Sequence, residues 1–146
     1  HKVTVGKNVV VIGGGLAGTE SACDIAAHAD KVTLLEMMPD ILYTAQHCLN
    51  NDQHLRRLVK DRNVETIGNA KVTSISNNSV TYEKDGQTYV IACDTIINAV
   101  GFRPNNELED LLEDMYEEVC VVGDALSPRK IMTAIHEGYH AIRVME

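Results

Sequence analysis

The chain has 146 residues, a length that suits one domain with a core of its own. Its 13 basic and 21 acidic residues give a formal net charge of -8, which argues against nucleic acid or an anionic membrane as the main partner. No apolar run approaches the ~18 residues of a membrane helix, and the first residues lack the pattern of a secretory signal. We therefore expect a cytoplasmic protein without a membrane partner.

The first part of the chain has the pattern of a βαβ unit. Asn8 to Gly13 is a short β-branched run that ends in glycine, which is typical of a strand buried on both faces. An apolar stripe at helical spacing follows from Leu16 to Ala29, and Lys31 to Glu36 reads as a second buried strand. This order predicts a parallel sheet with a right-handed crossover.

Three further elements are predicted after the βαβ unit. Met37 to Ala45 contains a proline and is expected to be irregular. Gln46 to Asp61 has the pattern of an amphipathic, charged helix, and Val64 to Ile67 that of a third strand.

Short alternating runs from Ala70 to Ala92 indicate strands of a different kind. They are separated at Asn77-Asn78 and at Asp85-Gly86, and Asp-Gly between alternating runs is a strong hairpin signal. We predict a small antiparallel meander here. Thr95 to Val100 then returns as a buried strand that ends at Gly101.

The last part of the chain completes the predicted fold. Asn105 to Glu118 is expected to be an acidic helix or loop, Val119 to Val122 a strand and Arg129 to Met145 a closing helix. Together the elements predict an α/β fold with a Rossmann-like parallel sheet, helices on both faces and the antiparallel β-meander as a crossover.

A glycine fingerprint lies between the first strand and the first helix. Gly13, Gly15 and Gly18 follow the pattern G-x-G-x-x-G, in which the glycines permit a tight turn, a close pyrophosphate and close helix packing. The helix start directs its free N–H groups and its dipole towards the phosphates. The predicted pyrophosphate site is the backbone of six residues: Gly13, Gly14, Gly15, Leu16, Ala17 and Gly18.

Two glutamates refine this prediction. Glu36 ends the second strand, 18 positions after Gly18, where a carboxylate accepts the ribose hydroxyls of NADH and repels the 2′-phosphate of NADPH. Its neighbour Met37 is not basic and is counted with the site. Glu20 is expected in the first turn of the helix, either near the nicotinamide or simply as a charge favoured by the helix dipole. The alternative for the whole pattern is a glycine turn with a surface glutamate at a strand end.

These features, with residues 94–104 (DTIINAVGFRP), resemble the NADH-binding domain of flavoprotein reductases that contain two dinucleotide folds. The resemblance is closest to the C-terminal region of enoate and 2,4-dienoyl-CoA reductases, relatives of trimethylamine dehydrogenase. In that family the NADH fold interrupts an FAD fold and carries G-x-G-x-x-G-x-E with an acidic strand end. The matching residues are Gly13, Gly15, Gly18, Glu20 and Glu36.

The resemblance implies further cofactor-binding residues. Ala99, Val100 and Gly101 match a turn that closes over the dinucleotide, and Val72 of the meander is counted among the expected contacts. Gly123 and Asp124 match a strand end of the FAD fold, where the aspartate contacts the ribityl-phosphate region of the flavin.

The resemblance also implies a division into domains and a set of cofactors. Residues 1–105 would form the NADH-binding domain, and residues 106–146 a returning segment of the FAD-binding domain. The first half of the FAD fold, an FMN barrel and an iron-sulfur cysteine cluster are absent from the sequence. The expected cofactors are therefore NADH here, FAD in the full-length enzyme, and FMN and an iron-sulfur cluster in absent domains.

The expected partners follow from this division. They are the nicotinamide dinucleotide and the FAD domain of the same protein. Without the rest of its sheet, the strand Val119 to Val122 has three outcomes open to it: joining the NADH sheet, pairing with another copy in a domain-swapped homo-oligomer, or packing loosely.

Two other patterns suggest chemistry that we do not expect here. His136 to His140 spells the zinc motif H-E-x-x-H, but it contains a glycine and leaves no room downstream for a third ligand, so no metal is predicted. The cysteines form no C-x-x-C pair, and three of them lie in apolar segments that favour buried, reduced thiols. They are Cys23, Cys48, Cys93 and Cys120.

The sequence therefore predicts an NADH-binding domain that positions nicotinamide for hydride transfer to FAD. It would belong to a larger enoate or dienoyl reductase or NADH oxidase, with no catalytic side chain of its own and no turnover in isolation. Two alternatives stay open: an NAD-sensing regulatory domain and an S-adenosylmethionine-binding methyltransferase domain.

Overall fold

The structure is a computed structural model that describes residues 4–43 and 49–145. The chain divides into two compact units, of which the first ends at Gly101 and the second begins at Phe102. Among the described residues, no helix has the length and apolar character needed to cross a membrane.

The described residues of the first unit form two sheets and two helices. A four-stranded parallel sheet has the order β3-β2-β1-β7, and a three-stranded antiparallel sheet has the order β4-β5-β6. The strands are β1 (Asn8–Ile12), β2 (Lys31–Leu35), β3 (Glu65–Ile67), β4 (Lys71–Ile75), β5 (Ser79–Lys84), β6 (Gln87–Ala92) and β7 (Thr95–Asn98). The helices are α1 (Leu16–Ile25) and α2 (Leu49–Asp61).

Side chains of the central strand β1 alternate between two hydrophobic clusters. Val9 and Val11 pack into a cluster with residues of α1 and α2. Val10 and Ile12 pack into the other cluster, with residues of the meander. Because successive side chains of a strand point to opposite faces, the apolar run of β1 is buried on both sides. The predicted α/β class is confirmed. The expectation of helices on both faces of the sheet is wrong for this unit, because α1 and α2 pack on the same face and the meander covers the other.

The meander has the predicted turns. Asp85 and Gly86 have φ angles of 51° and 74°, the left-handed pair that a two-residue type I′ hairpin turn requires. Val80 and Tyr82 of β5 are buried against the parallel sheet. The meander therefore covers one face of the sheet on which the glycine turn is built.

Helix α1 is shorter than predicted. It ends at Ile25 instead of Ala29, and the carbonyl of Ile25 accepts hydrogen bonds from the N–H groups of both His28, at 2.8 Å, and Ala29, at 2.9 Å. Such a bond to the third residue along tightens and closes the last turn of a helix. The predicted start of α2 at residue 46 lies outside the described residues.

The second unit is helical in part and carries no sheet among its described residues. It contains α3 (Glu109–Glu113), a 3-10 turn at Gly123–Ala125 and α4 (Ile131–Val144). The prediction of a strand at Val119 to Val122 is wrong, since residues 119–122 join neither of the two sheets. An apolar β-branched run becomes a strand only where a neighbouring strand accepts its backbone hydrogen bonds.

Candidate dinucleotide-binding site

The glycine turn joins β1 to α1 at very close range. Gly13 has a φ of 102°, and a methyl group placed on it would lie 2.5 Å from the carbonyl oxygen of Ala99. A methyl group on Gly18 would overlap the carbonyl oxygen of Gly13. Glycine is therefore required at both positions for β1, β7 and α1 to pack as closely as they do.

The start of α1 is open towards solvent at the third residue of the turn. Gly15 precedes the helix in an extended conformation, and no side chain of the described residues caps it. A methyl group on Gly15 would have no described atom within 4 Å. The first N–H groups of a helix have no partner inside it and carry the positive end of its dipole. Open space beside these donors fits a diphosphate.

The carboxylate of Glu36 is held beside this turn. Its Oε2 accepts a hydrogen bond from the N–H of Gly14 at 2.5 Å, and its Oε1 accepts one from the N–H of Met38 at 2.7 Å. Glu36 is half-buried and Met37 is exposed. Two backbone amides therefore orient the Glu36 carboxylate, which is predicted to bind the ribose, at the carboxyl end of β2.

The carbonyl of Gly14 is held as well, by two residues that sequence reasoning missed. It accepts hydrogen bonds from the N–H of Leu42 at 2.7 Å and from Oγ1 of Thr19 at 3.2 Å. Leu42 has a φ of 59°, which costs of order 1–3 kcal/mol for a residue with a side chain and persists only when its surroundings enforce it. No sequence pattern predicts a leucine in the left-handed conformation. A threonine directly after the third glycine, in contrast, could have been recognised as a residue that bonds to the turn.

The remaining predicted residues of the first unit fall into two groups. Ala99 donates its N–H to Ile12 at 2.8 Å and lies beside Gly13, while Val100 and Gly101 after it are exposed. Val72 packs instead against the cluster beneath the meander.

Glu20 is exposed, but the expectation of a first-turn position is wrong. Helix α1 starts at Leu16, which makes Glu20 its fifth residue and places it beyond the first turn.

Gly123 and Asp124 lie in the second unit. Gly123 has a φ of 65°, and its N–H donates to Oε2 of Glu137 at 2.8 Å. Oδ1 of Asp124 accepts the N–H of Arg129 at 3.3 Å, and the Arg129 side chain forms an ion pair with Glu137. Glu137, the glutamate of the H-E-x-x-H sequence, thus connects α4 to the turn at Gly123 through a hydrogen bond. Within residues 4–43 and 49–145, no three His, Cys, Asp or Glu side chains are grouped to hold a metal ion.

The thiols differ from one another in exposure. Burial raises the pKa of the Cys23 and Cys93 thiols, which favours the protonated form and makes both poor nucleophiles. The expectation of a buried thiol is wrong for Cys120, which is exposed in the second unit, where the apolar run around it forms no strand. Cys48 lies outside the described residues.

Comparison with known proteins places these features in a family. A profile of the pyridine nucleotide-disulphide oxidoreductase family matches residues 1–138. A bilirubin reductase from Mediterraneibacter gnavus (strain CC55_001C) is 34% identical over 146 residues, covering 99% of this chain and 22% of that protein. An NADH oxidase from Thermoanaerobacter brockii is 33% identical over 134 residues, covering 91% of this chain and 20% of that protein.

A solved structure shows the same architecture. The complex of 2-naphthoyl-CoA reductase with 2-naphthoyl-CoA matches with a TM-score of 0.78 and 28% sequence identity, covering 94% of this chain and 21% of that chain. These matches confirm the predicted resemblance to flavoprotein reductases. The chain spans between a fifth and a quarter of the length of each of these relatives.

Proposed function

Because the chain belongs to the pyridine nucleotide-disulphide oxidoreductase family, we propose that its first unit binds NADH and presents the nicotinamide to FAD within a larger reductase. The observation that carries this proposal is one arrangement at the carboxyl edge of the parallel sheet. The open space at Gly15 faces an uncapped helix start, and the neighbouring Gly14 amide holds the carboxylate of Glu36.

Each part of this arrangement has a task in binding. The backbone from Gly13 to Gly18 would hold the diphosphate through helix N–H groups. Glu36 would accept the hydroxyls of the adenosine ribose, and its negative charge would repel a 2′-phosphate. We therefore propose NADH, and not NADPH, as the cofactor.

Bound NADH supplies a hydride, and the chain supplies binding and orientation. Ala99, seated against Gly13, would keep the turn after β7 close to the glycine fingerprint. No acid, base or nucleophile of the chain is required for this task, and the buried, protonated thiols of Cys23 and Cys93 take no part in it. We expect the isolated chain to bind the dinucleotide without turning over a substrate.

We assign the second unit to the FAD-binding part of the same longer protein, with residues 106–146 as its returning segment and Gly123 and Asp124 as flavin contacts. Helix α4 supports this assignment, because it exposes apolar side chains along one side, as a helix made to pack against further protein does. These side chains are Ile131, Ile135, Tyr139 and Ile142. FMN and an iron-sulfur cluster would belong to domains outside this chain.

The test is a calorimetric titration of the chain with NADH, repeated in the presence of NADPH or of S-adenosylmethionine as competitor. We expect NADH to bind, NADPH to compete weakly and S-adenosylmethionine not to compete. A Gly15→Ala variant should keep its fold and lose at least about tenfold in NADH affinity, because its methyl group fills the space proposed for the diphosphate. Equal affinity of this variant and the wild type, or displacement of NADH by S-adenosylmethionine, would contradict the proposal.

A further inference from the structure

Arg56 of α2 ties that helix to the loop that follows β2. Its Nη1 forms an ion pair with Oδ2 of Asp40 at 2.6 Å, and its Nη2 donates to the carbonyl of Ile41 at 2.8 Å. Its Nε contacts Oδ1 of Asp52, one turn earlier in the same helix, at 2.5 Å. A planar guanidinium directs these donors in fixed directions, which a lysine ammonium cannot reproduce.

The residue that follows the Arg56 contact in this loop already bonds to the glycine turn. Ile41 is bound through its carbonyl by Arg56, and the N–H of the next residue, Leu42, donates to the carbonyl of Gly14. Leu42 is only 1% exposed and keeps a left-handed backbone that its surroundings must enforce. A methyl group placed on Gly14 would lie 3.1 Å from Cγ2 of Ile41.

Gly14 is held from both sides at this point. Its carbonyl meets the N–H of Leu42, and its N–H meets the carboxylate of Glu36. A shift of the loop would therefore remove the shorter of the two hydrogen bonds to the Gly14 carbonyl and leave only the one from Oγ1 of Thr19. The Gly14 peptide groups beside the carboxylate that is proposed to bind the ribose would then be held less firmly.

We propose that Arg56 is a positioning residue of the dinucleotide site, which holds the loop 37–43 so that Leu42 fixes the Gly14 carbonyl. This inference rests on the proposed function. Arg56 acts through Leu42 and Gly14 and is assigned no contact with the cofactor itself. Its loss should weaken binding of the ADP-ribose portion of NADH, because Gly14 and Glu36 belong to that portion of the site.

The neighbouring arginine provides a matched control. Arg57 lies in the same helix and forms an ion pair one turn away with Asp61 at 3.4 Å, and its side chain is 80% exposed. Arg57→Ala thus removes the same charge and an equivalent helix pair without touching the loop.

The experiment uses the full chain and two readouts. ADP-ribose and NADH affinities are measured by calorimetry for the wild type, Arg56→Ala and Arg57→Ala, and hydrogen exchange of the Leu42 amide is followed without ligand. We expect Arg56→Ala to lose about tenfold in both affinities and the protection of Leu42, while amides of β1 stay protected. Arg57→Ala should match the wild type. Arg56→Lys should behave more like Arg56→Ala than like the wild type.

If Arg56→Ala does not fold, Asp40→Asn replaces it. This change weakens the ion pair between Arg56 and the loop and leaves the contact of Arg56 with Asp52 in place. It should shift both readouts in the same direction, by a smaller factor. If the wild type binds both ligands and the Arg56→Ala and Arg57→Ala variants bind them with the same affinity as each other, the inference about Arg56 is wrong and the proposed function still stands. A wild-type chain that binds neither ligand overturns the proposed function, and this inference with it.

Discussion

At the scale of single residues, the third glycine of the fingerprint shows which physical effect decides a substitution. In an exposed helix, alanine stabilises by about 1 kcal/mol relative to glycine. At Gly18 the added methyl group would overlap the Gly13 carbonyl oxygen, so α1 must move away from β1. Overpacking against a rigid backbone costs about 1–3 kcal/mol or more, which outweighs the gain in helix propensity.

We therefore expect Gly18→Ala to lower the free energy of unfolding by about 2 kcal/mol, measured by urea denaturation followed by circular dichroism. Gly15→Ala is the control, since the same methyl group meets open space there, and its unfolding free energy should stay within about 0.5 kcal/mol of the wild type. A Gly18→Ala protein as stable as the wild type would mean that α1 and β1 are not packed as closely as described.

Some residues of the site could be predicted from the sequence and others could not. Gly13 and Gly18 lie where the fingerprint predicts, because their role is set by local turn geometry that only glycine permits. Leu42, Thr19 and Arg56 were missed. The roles of Leu42 and Arg56 depend on how a loop folds back onto the turn, and neither a left-handed leucine nor an arginine bound to a carbonyl 15 residues earlier has a local signature.

At the scale of elements, Asp94 fixes the start of the pairing between β1 and β7. Its Oδ2 accepts hydrogen bonds from the N–H groups of Lys7 and Asn8, each at 2.9 Å. The N–H of Asp94 donates in turn to the carbonyl of Asn8, directly before the first pair of the ladder, Val9 with Thr95. The hydrogen bond from the Asn8 N–H is the main reason that the pKa of the Asp94 carboxyl lies below its ordinary value.

We expect Asp94→Asn to lower the urea midpoint near neutral pH. The folded pKa is depressed, so the charged carboxylate stabilises the fold above the unfolded pKa of about 3.9, and this contribution is lost as the pH falls through the lower folded pKa. The difference between wild type and variant should therefore shrink in acid, in urea titrations from about pH 7 to about pH 3.

Asp24→Asn, which removes an exposed carboxylate from α1, should leave the urea midpoint nearly unchanged near neutral pH. A difference between wild type and Asp94→Asn that stays constant over the whole pH range would contradict the assigned role of the Asp94 charge.

Element by element, prediction succeeded where one local rule decides the structure. The burial of β1 on both faces and the Asp-Gly turn of the meander required only the period of the strands and the φ angles of a hairpin. The prediction of a strand at Val119 to Val122 failed, because a strand depends on a partner strand that the sequence of the segment does not contain. The length of α1 was overestimated, since an apolar stripe continues through residues that close its last turn.

At the scale of the whole molecule, the two units differ in how their side chains are buried. Every buried side chain among the described residues belongs to the first unit, and α4 of the second unit leaves its apolar side open. Regions with few buried apolar contacts open locally at a low free-energy cost. The sequence left loose packing of Val119 to Val122 as one of three outcomes and could not select it, because the second unit is as apolar in pattern as a segment with a core of its own.

This difference predicts the course of limited proteolysis. Phe102, at the start of the second unit, is 87% exposed, whereas Tyr82 of the meander is 6% exposed. We expect chymotrypsin to cleave after Phe102 well before Tyr82, and the product that ends at Phe102 should still bind ADP-ribose, since Gly13 to Gly18 and Glu36 all lie within it. Mass spectrometry of the time course identifies the cuts, and calorimetry of the purified fragment measures binding.

Phe102→Ala is the control for the proteolysis, because it removes the cleavage site at Phe102 and should slow the appearance of this product. Early cleavage at Tyr82 would contradict the assignment of the buried core to the first unit. A fragment that stays folded but no longer binds ADP-ribose would show that residues beyond Phe102 complete the site. Retained binding would mean that the glycine turn, Glu36 and the loop fixed by Arg56 are sufficient for recognition.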